Sequence, residues 1–146
     1  MLFRHRAGQL ELLLVHPGGP FFKKKDLGAW SIPKGEAGAG EDLLTRAKIE
    51  FEEELGIPVS GDNFIALGWI RQKGGKIVYA WALEGDLPIS FLVNSNLFEL
   101  EWPPRSGRRQ TFPEVDKAEF FPEAIAREKI KAAQIPLIDR LCEIIR

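Results

Sequence analysis

The stretch Gly35–Ile57 constrains this chain more than any other: Gly-Glu-Ala-Gly-Ala-Gly-Glu-Asp-Leu-Leu-Thr-Arg-Ala-Lys-Ile-Glu-Phe-Glu-Glu-Glu-Leu-Gly-Ile. It opens as a glycine-rich loop, turns into a helix and meets at Gly56 a residue suited to ending one. At about 100° per residue, Leu44, Ala47, Phe51 and Leu55 fall on one stripe, predicted to face a core. Glu50, Glu53 and Glu54 fall together on another side. Like charges one turn apart repel, and acids near a helix C-terminus oppose its dipole. Something should offset that cost. A divalent cation such as Mg2+ would, since it favours carboxylate oxygens, water and phosphate. A solvated acidic face is the competing reading.

The order of residues goes further. Gly35, five residues, Glu41, seven residues, then Ile49-Glu50-Phe51-Glu52-Glu53-Glu54-Leu55-Gly56-Ile57, all led in by Trp30-Ser-Ile-Pro33-Lys34, resembles the signature of the Nudix hydrolases. The resemblance covers essentially the whole chain. It implies an α/β fold of the α+β type, an αβα sandwich with a mixed β-sheet between helices. It implies Mg2+, with Mn2+ able to substitute, held by Glu50, Glu53 and Glu54 and by a main-chain carbonyl at Lys34 or Gly35. Glu41 is then a brace for the loop and helix start. The segment Pro113-Glu114-Val-Asp116-Lys-Ala-Glu119-Phe-Phe121 resembles a late part of such chains, which leaves the general base open between Glu50 and Glu114. Glu50, Glu53 and Glu114 are the candidate catalytic residues. One position departs: the family has Arg where this chain has Ile49, and that Arg orients a catalytic carboxylate. Arg46, one turn before Glu50, is expected to take over the role; an ordinary helical ion pair is the plainer reading.

The implied reaction is hydrolysis of a nucleoside diphosphate linked to another moiety, releasing a nucleoside monophosphate. A nucleoside triphosphate or a dinucleoside polyphosphate would qualify. A non-catalytic domain that senses a nucleotide is the alternative. Candidate substrate-binding residues are Trp30, Lys34, Lys23 and Arg71. Lys34 stands beside the glycine loop, and Lys23-Lys24-Lys25 could capture a polyphosphate or simply be a solvated loop tip. Trp30, Tyr79, Trp69 and Phe112 could stack on a base, although core packing is the commoner fate of aromatic rings.

Bulk composition excludes little else. The 146 residues are 45% hydrophobic and 28% charged, as expected of one soluble domain spanning 1–146. A net charge of −1 gives no global case for nucleic acid or a membrane surface as partner. No apolar run is long enough to span a bilayer. The single cysteine, Cys142, forms no internal disulfide and reads as a buried small hydrophobe. With no secretory signal in view, the cytoplasm is the default location. Monomer and homodimer both remain open.

Along the chain, Leu10–Val15 reads as a buried strand, with Leu2-Phe3 as the end of a strand paired to it. The resemblance implies a first strand that begins further upstream. Asn63–Lys73 and Lys76–Leu83 form a hairpin over Gly74-Gly75, with Ile77, Tyr79, Trp81 and Leu83 on one side. Leu97–Trp102 reads as a strand with Phe98, Leu100 and Trp102 on one face. The segment Pro103–Thr111, with Arg105, Arg108 and Arg109, reads as a loop, either mobile or closing over phosphates. Ala118–Phe121 is a last short strand. Helices follow over Glu123–Lys131 and Ile135–Ile145, the latter with Ile138, Leu141 and Ile145 inward and Pro136 in its first turn.

Overall fold

The computed structural model describes residues 1–33, 42–59, 61–88 and 91–146. Its strands are β1 (Leu2–Arg6), β2 (Gln9–Pro17), β3 (Ile65–Arg71), β4 (Ile77–Glu84), β5 (Leu97–Glu101), β6 (Arg109–Pro113) and β7 (Val115–Pro122). Its helices are α1 (Leu43–Leu55), α2 (Glu123–Lys129) and α3 (Ile135–Ile145), with a 3-10 turn, Ala132–Gln134, ahead of α3. Five strands form a mixed sheet in the order β3-β4-β1-β2-β7, in which only the β1–β4 pairing is parallel. Helices cover both faces, which is the expected sandwich.

The two faces hold separate cores. On one, Leu137, Ile138 and Leu141 of α3 pack with Leu12, Leu14, Ile70, Val78 and Trp30. On the other, Phe51 and Leu55 of α1 pack with Leu2, Leu13, Leu83 and Val115. Alternation along β4 explains the split: Val78, Ala80 and Ala82 point to the α3 side, and Ile77, Tyr79 and Trp81 to the α1 side. At the outer edge of the sheet, Arg140 of α3 donates from Nη1 to the carbonyls of Leu67 and Trp69, at 2.9 and 2.8 Å. It thereby covers carbonyls that an open strand edge would present to another chain.

The α1 helix starts as its side chains dictate. Asp42 caps it, accepting from the Thr45 amide at 2.9 Å and the Thr45 hydroxyl at 2.7 Å. It ends at Gly56, whose φ of 80° is left-handed. Of the predicted inward stripe, Phe51 and Leu55 are buried, while Leu44 and Ala47 are only half-buried.

The region 97–113 differs from expectation. Arg109–Thr111, read as loop, belongs to β6 and pairs with β5 in a hairpin outside the main sheet. Its sequence shows no apolar alternation. The register carries it instead: Phe98 faces Phe112 and Glu101 faces Arg109. The hairpin rests on the loop after β2, where Phe21 meets Trp102 edge-on at 5.3 Å. That loop is tied inward by buried His16, whose Nε2 donates to the Lys25 carbonyl while Nδ1 bonds Asp116 of β7, both at 2.7 Å. Among the described residues, no helix is long and apolar enough to cross a membrane.

Candidate active site

The C-terminal half of α1 carries charge against its own dipole: no acid lies in its first turn and no base in its last. Glu50, Glu53 and Glu54 are half-buried, whereas Glu52 is exposed. The guanidinium of Arg46 is ion-paired to Glu50 Oε1, and its Nη2 lies 3.9 Å from Glu53 Oε2. The Glu50 side chain is only 12% exposed. Burial pushes its carboxyl above the usual range, against the pull of Arg46, and the charges of Glu53 and Glu114 add to the rise.

The influence of Glu114 on Glu50 is possible because a strap of three residues joins their elements. The amide of Asn96 donates to the Glu53 carbonyl at 2.8 Å, and the Asn96 carbonyl accepts from the Glu114 amide at 2.9 Å. Two residues on, the Asn94 amide donates to the Leu55 carbonyl at 3.1 Å. Buried Ser95 locks the strap to β7, its hydroxyl accepting from the Val115 amide at 3.0 Å. On its far side, the Glu114 carbonyl accepts from Gly18 at 2.9 Å. Two glycines make these approaches feasible. A Cβ on Gly56 would stand 2.5 Å from the Asn94 carbonyl oxygen, and one on Gly18 would stand 1.9 Å from that of Pro113. Sequence reasoning missed the strap. Its only local signal is the polar triplet Asn94-Ser95-Asn96 between apolar stretches.

Beside this face lies a cavity of about 670 Å³, lined by Leu43, Ala47, Ile57, Phe64, Tyr79 and Trp81 among others. Arg46, the ion-pair partner of Glu50, is part of its wall, whereas Glu50, Glu53, Glu54 and Glu114 are not. The cavity is large enough for a small-molecule ligand, and its lining is more apolar than polar, with Arg46, Lys48, Glu84 and Asp86 as its charged side chains. Trp69 and Tyr79 are directly opposed across the β3–β4 ladder and are 50% and 45% exposed. Arg71 opposes Ile77 in the same ladder and is exposed.

The other expected residues are placed as follows. Trp30 is in the core and not at the cavity: it is 4% exposed, edge-on to Phe121 and His16, with its ring N–H donating to Asp26 at 2.8 Å. Its burial follows from the bridge that pairs it with Ile130. Lys23 is exposed in the loop that carries the β5–β6 hairpin. Phe112 is half-buried against Phe98. Arg109 pairs with Glu99 at 3.4 Å on the exposed face of the hairpin. Lys34, Gly35 and Glu41 lie outside the described residues.

The donor set of the α1 face is carboxylate oxygen throughout, which fits a hard cation such as Mg2+ or Mn2+ and not a soft one. Among the described residues, no three acidic, histidine or cysteine side chains gather closely enough to hold a metal ion. The positive charge found between Glu50 and Glu53 is the guanidinium of Arg46.

No family model matches this chain, and no curated protein matches it either. Solved structures do. A Caenorhabditis elegans Ap4A hydrolase in a binary complex aligns with a TM-score of 0.65 at 18% identity, over 99% of this chain and 92% of that one. The Nudix domain of Shewanella oneidensis NrtR, complexed with ADP ribose, aligns with a TM-score of 0.64 at 17% identity, over 99% and 84%. RenU, a Nudix hydrolase from M. smegmatis, aligns with a TM-score of 0.60 at 16% identity, over 98% and 80%. These likenesses span nearly the whole chain, and the chain has the Nudix hydrolase fold.

Proposed function

We propose that this chain is a divalent-metal-dependent pyrophosphohydrolase acting on a nucleoside diphosphate joined to a further group. One observation carries the reading. Three sheltered glutamates share a helix face, a fourth is strapped alongside by the main chain, and the Arg46 that pairs with Glu50 also lines a cavity sized for a nucleoside. Acids gathered against a helix dipole cost stability, which a ligand would offset.

In this reading Glu50, Glu53 and Glu54, whose carboxylates do not converge in this structure, would draw together on Mg2+ or Mn2+. When bound, the metal supplies charge neutralisation on the diphosphate and acidifies water. The protein supplies position. Tyr79, with Trp69 near it, offers an aromatic surface for the base, and Arg71 and Lys23 offer positive charge to phosphates. Glu50 is committed to Arg46, whereas Glu114 is exposed and pinned on both sides through its backbone. Glu114 is therefore the group that takes the proton from the attacking water. Attack on phosphorus forms the new O–P bond, the anhydride P–O bond breaks, and the nucleoside monophosphate leaves.

The neighbours named for Ap4A hydrolysis and for an ADP ribose complex make dinucleoside polyphosphates and ADP ribose the first substrates to try. The test is incubation with Mg2+ and a panel of these compounds and nucleoside triphosphates, with chromatographic detection of nucleoside monophosphate. Release from at least one member is expected. Nucleotide binding without release from any member would instead make the chain a sensor.

A further inference from the structure

Arg46 stands where the acidic face needs a cation. It is paired with Glu50 across one helical turn and reaches to 3.9 Å from Glu53, with its own side chain 28% exposed. The pair also runs in the less favourable direction along a helix, base before acid, so helix stability alone does not account for it. Ile49, the next-door residue to Glu50, is 41% exposed. It offers no charge to the carboxylates. Arg46 also lines the cavity.

We propose that Arg46 is the built-in counter-ion of Glu50 and Glu53: it competes with the divalent cation for these carboxylates and orients Glu50 once the cation is bound. This rests on the hydrolase reading above and adds to it. The two halves of the role act in opposite directions. A positive charge beside two carboxylates lowers their attraction for a second cation, and its removal strengthens metal binding. A guanidinium fixed on a carboxylate oxygen holds that carboxylate in one rotamer, and its removal leaves the reacting groups out of register. An ordinary surface ion pair would contribute little to either.

The test is Arg46→Ala beside Arg46→Lys, each measured for Mg2+ affinity by titration calorimetry without substrate and for turnover with substrate. For Arg46→Ala, Mg2+ is expected to bind about three- to tenfold more tightly, as suits one partly screened charge. Its turnover is expected to fall about a hundredfold, the scale on which small misplacements act. Arg46→Lys keeps the charge without the planar fork, so it should keep the wild-type Mg2+ affinity and recover only part of the turnover. Unchanged or weaker Mg2+ binding by Arg46→Ala would overturn the proposal, as would unchanged turnover. A wild-type chain that binds Mg2+ but hydrolyses nothing would overturn the hydrolase reading, and the calorimetric comparison would still decide the counter-ion half. Melting curves of both variants without metal keep a folding defect apart from these outcomes.

Discussion

On one side of the five-stranded sheet, Leu137, Ile138 and Leu141 are all fully buried. Even the polar side chain among them, Gln134, is buried with both amide atoms bonded: its oxygen accepts from the Ile32 amide at 3.0 Å, and its nitrogen donates to Gln72 at 2.8 Å. On the other side, α1 buries only Phe51 and Leu55 and leaves Leu44 and Ala47 beside an open cavity. The same sheet thus backs a filled layer and an underfilled one. Filled layers supply stability, because each methylene removed from water contributes and each void costs. An underfilled layer forgoes some of that stability and gains room for a ligand. The division of labour is set by the alternation of β4, which sends its small residues to the filled side and its aromatic ones to the open side.

The largest effect that could break this contrast is on the filled side. Leu141→Ala should destabilise the fold by about 2–5 kcal/mol, since a fully packed layer collapses poorly around a void. Chemical denaturation would measure it, with activity per folded molecule unchanged. Next comes the open side. Ala47→Leu adds carbon to the cavity, so stability should shift by less than about 1 kcal/mol, whereas KM for the best substrate should rise about tenfold or more. A loss of stability like that of Leu141→Ala would mean that the cavity is ordinary core.

The smallest effect is one of pH. Glu50 holds its proton more tightly in the folded, metal-free protein than in the unfolded chain, mainly because it is buried. Its contribution to stability therefore grows as pH falls through the window just above the ordinary glutamate value, and is lost as pH rises through it. Asp42, held low by the Thr45 hydroxyl, and Asp26, held low by Lys129, act oppositely and at lower pH. Melting temperature against pH for wild type and Glu50→Gln should differ in slope only within the upper window. Parallel curves would place Glu50 in an unshifted environment.

These contrasts also explain what the sequence disclosed. Helix α1, its end at Gly56, the β3–β4 hairpin and the inward face of α3 are all written in short-range periodicity and turn residues, and they stand in the structure. The β5–β6 hairpin was half legible, because β6 owes its conformation to its partner and not to its own pattern. The strap Asn94–Asn96 was not legible at all. It acts through backbone hydrogen bonds, and through the Ser95 hydroxyl, to residues about forty positions upstream and twenty downstream, partners that no local pattern announces. Trp30 shows the converse limit. An aromatic beside a glycine loop invites a binding role, yet its placement was decided by the bridge to Ile130 and the rings around it.

The central claim is that the acidic face of α1 grips a divalent cation against a diphosphate. Its most direct measurement is Mg2+-dependent release of nucleoside monophosphate by Glu53→Gln beside the wild type, at matched melting temperature. The account predicts release by the wild type that a chelator abolishes, and a fall of about a thousandfold in the variant, the size of loss when a group stabilising developing charge is removed. A Glu53→Gln protein that keeps wild-type turnover would contradict it.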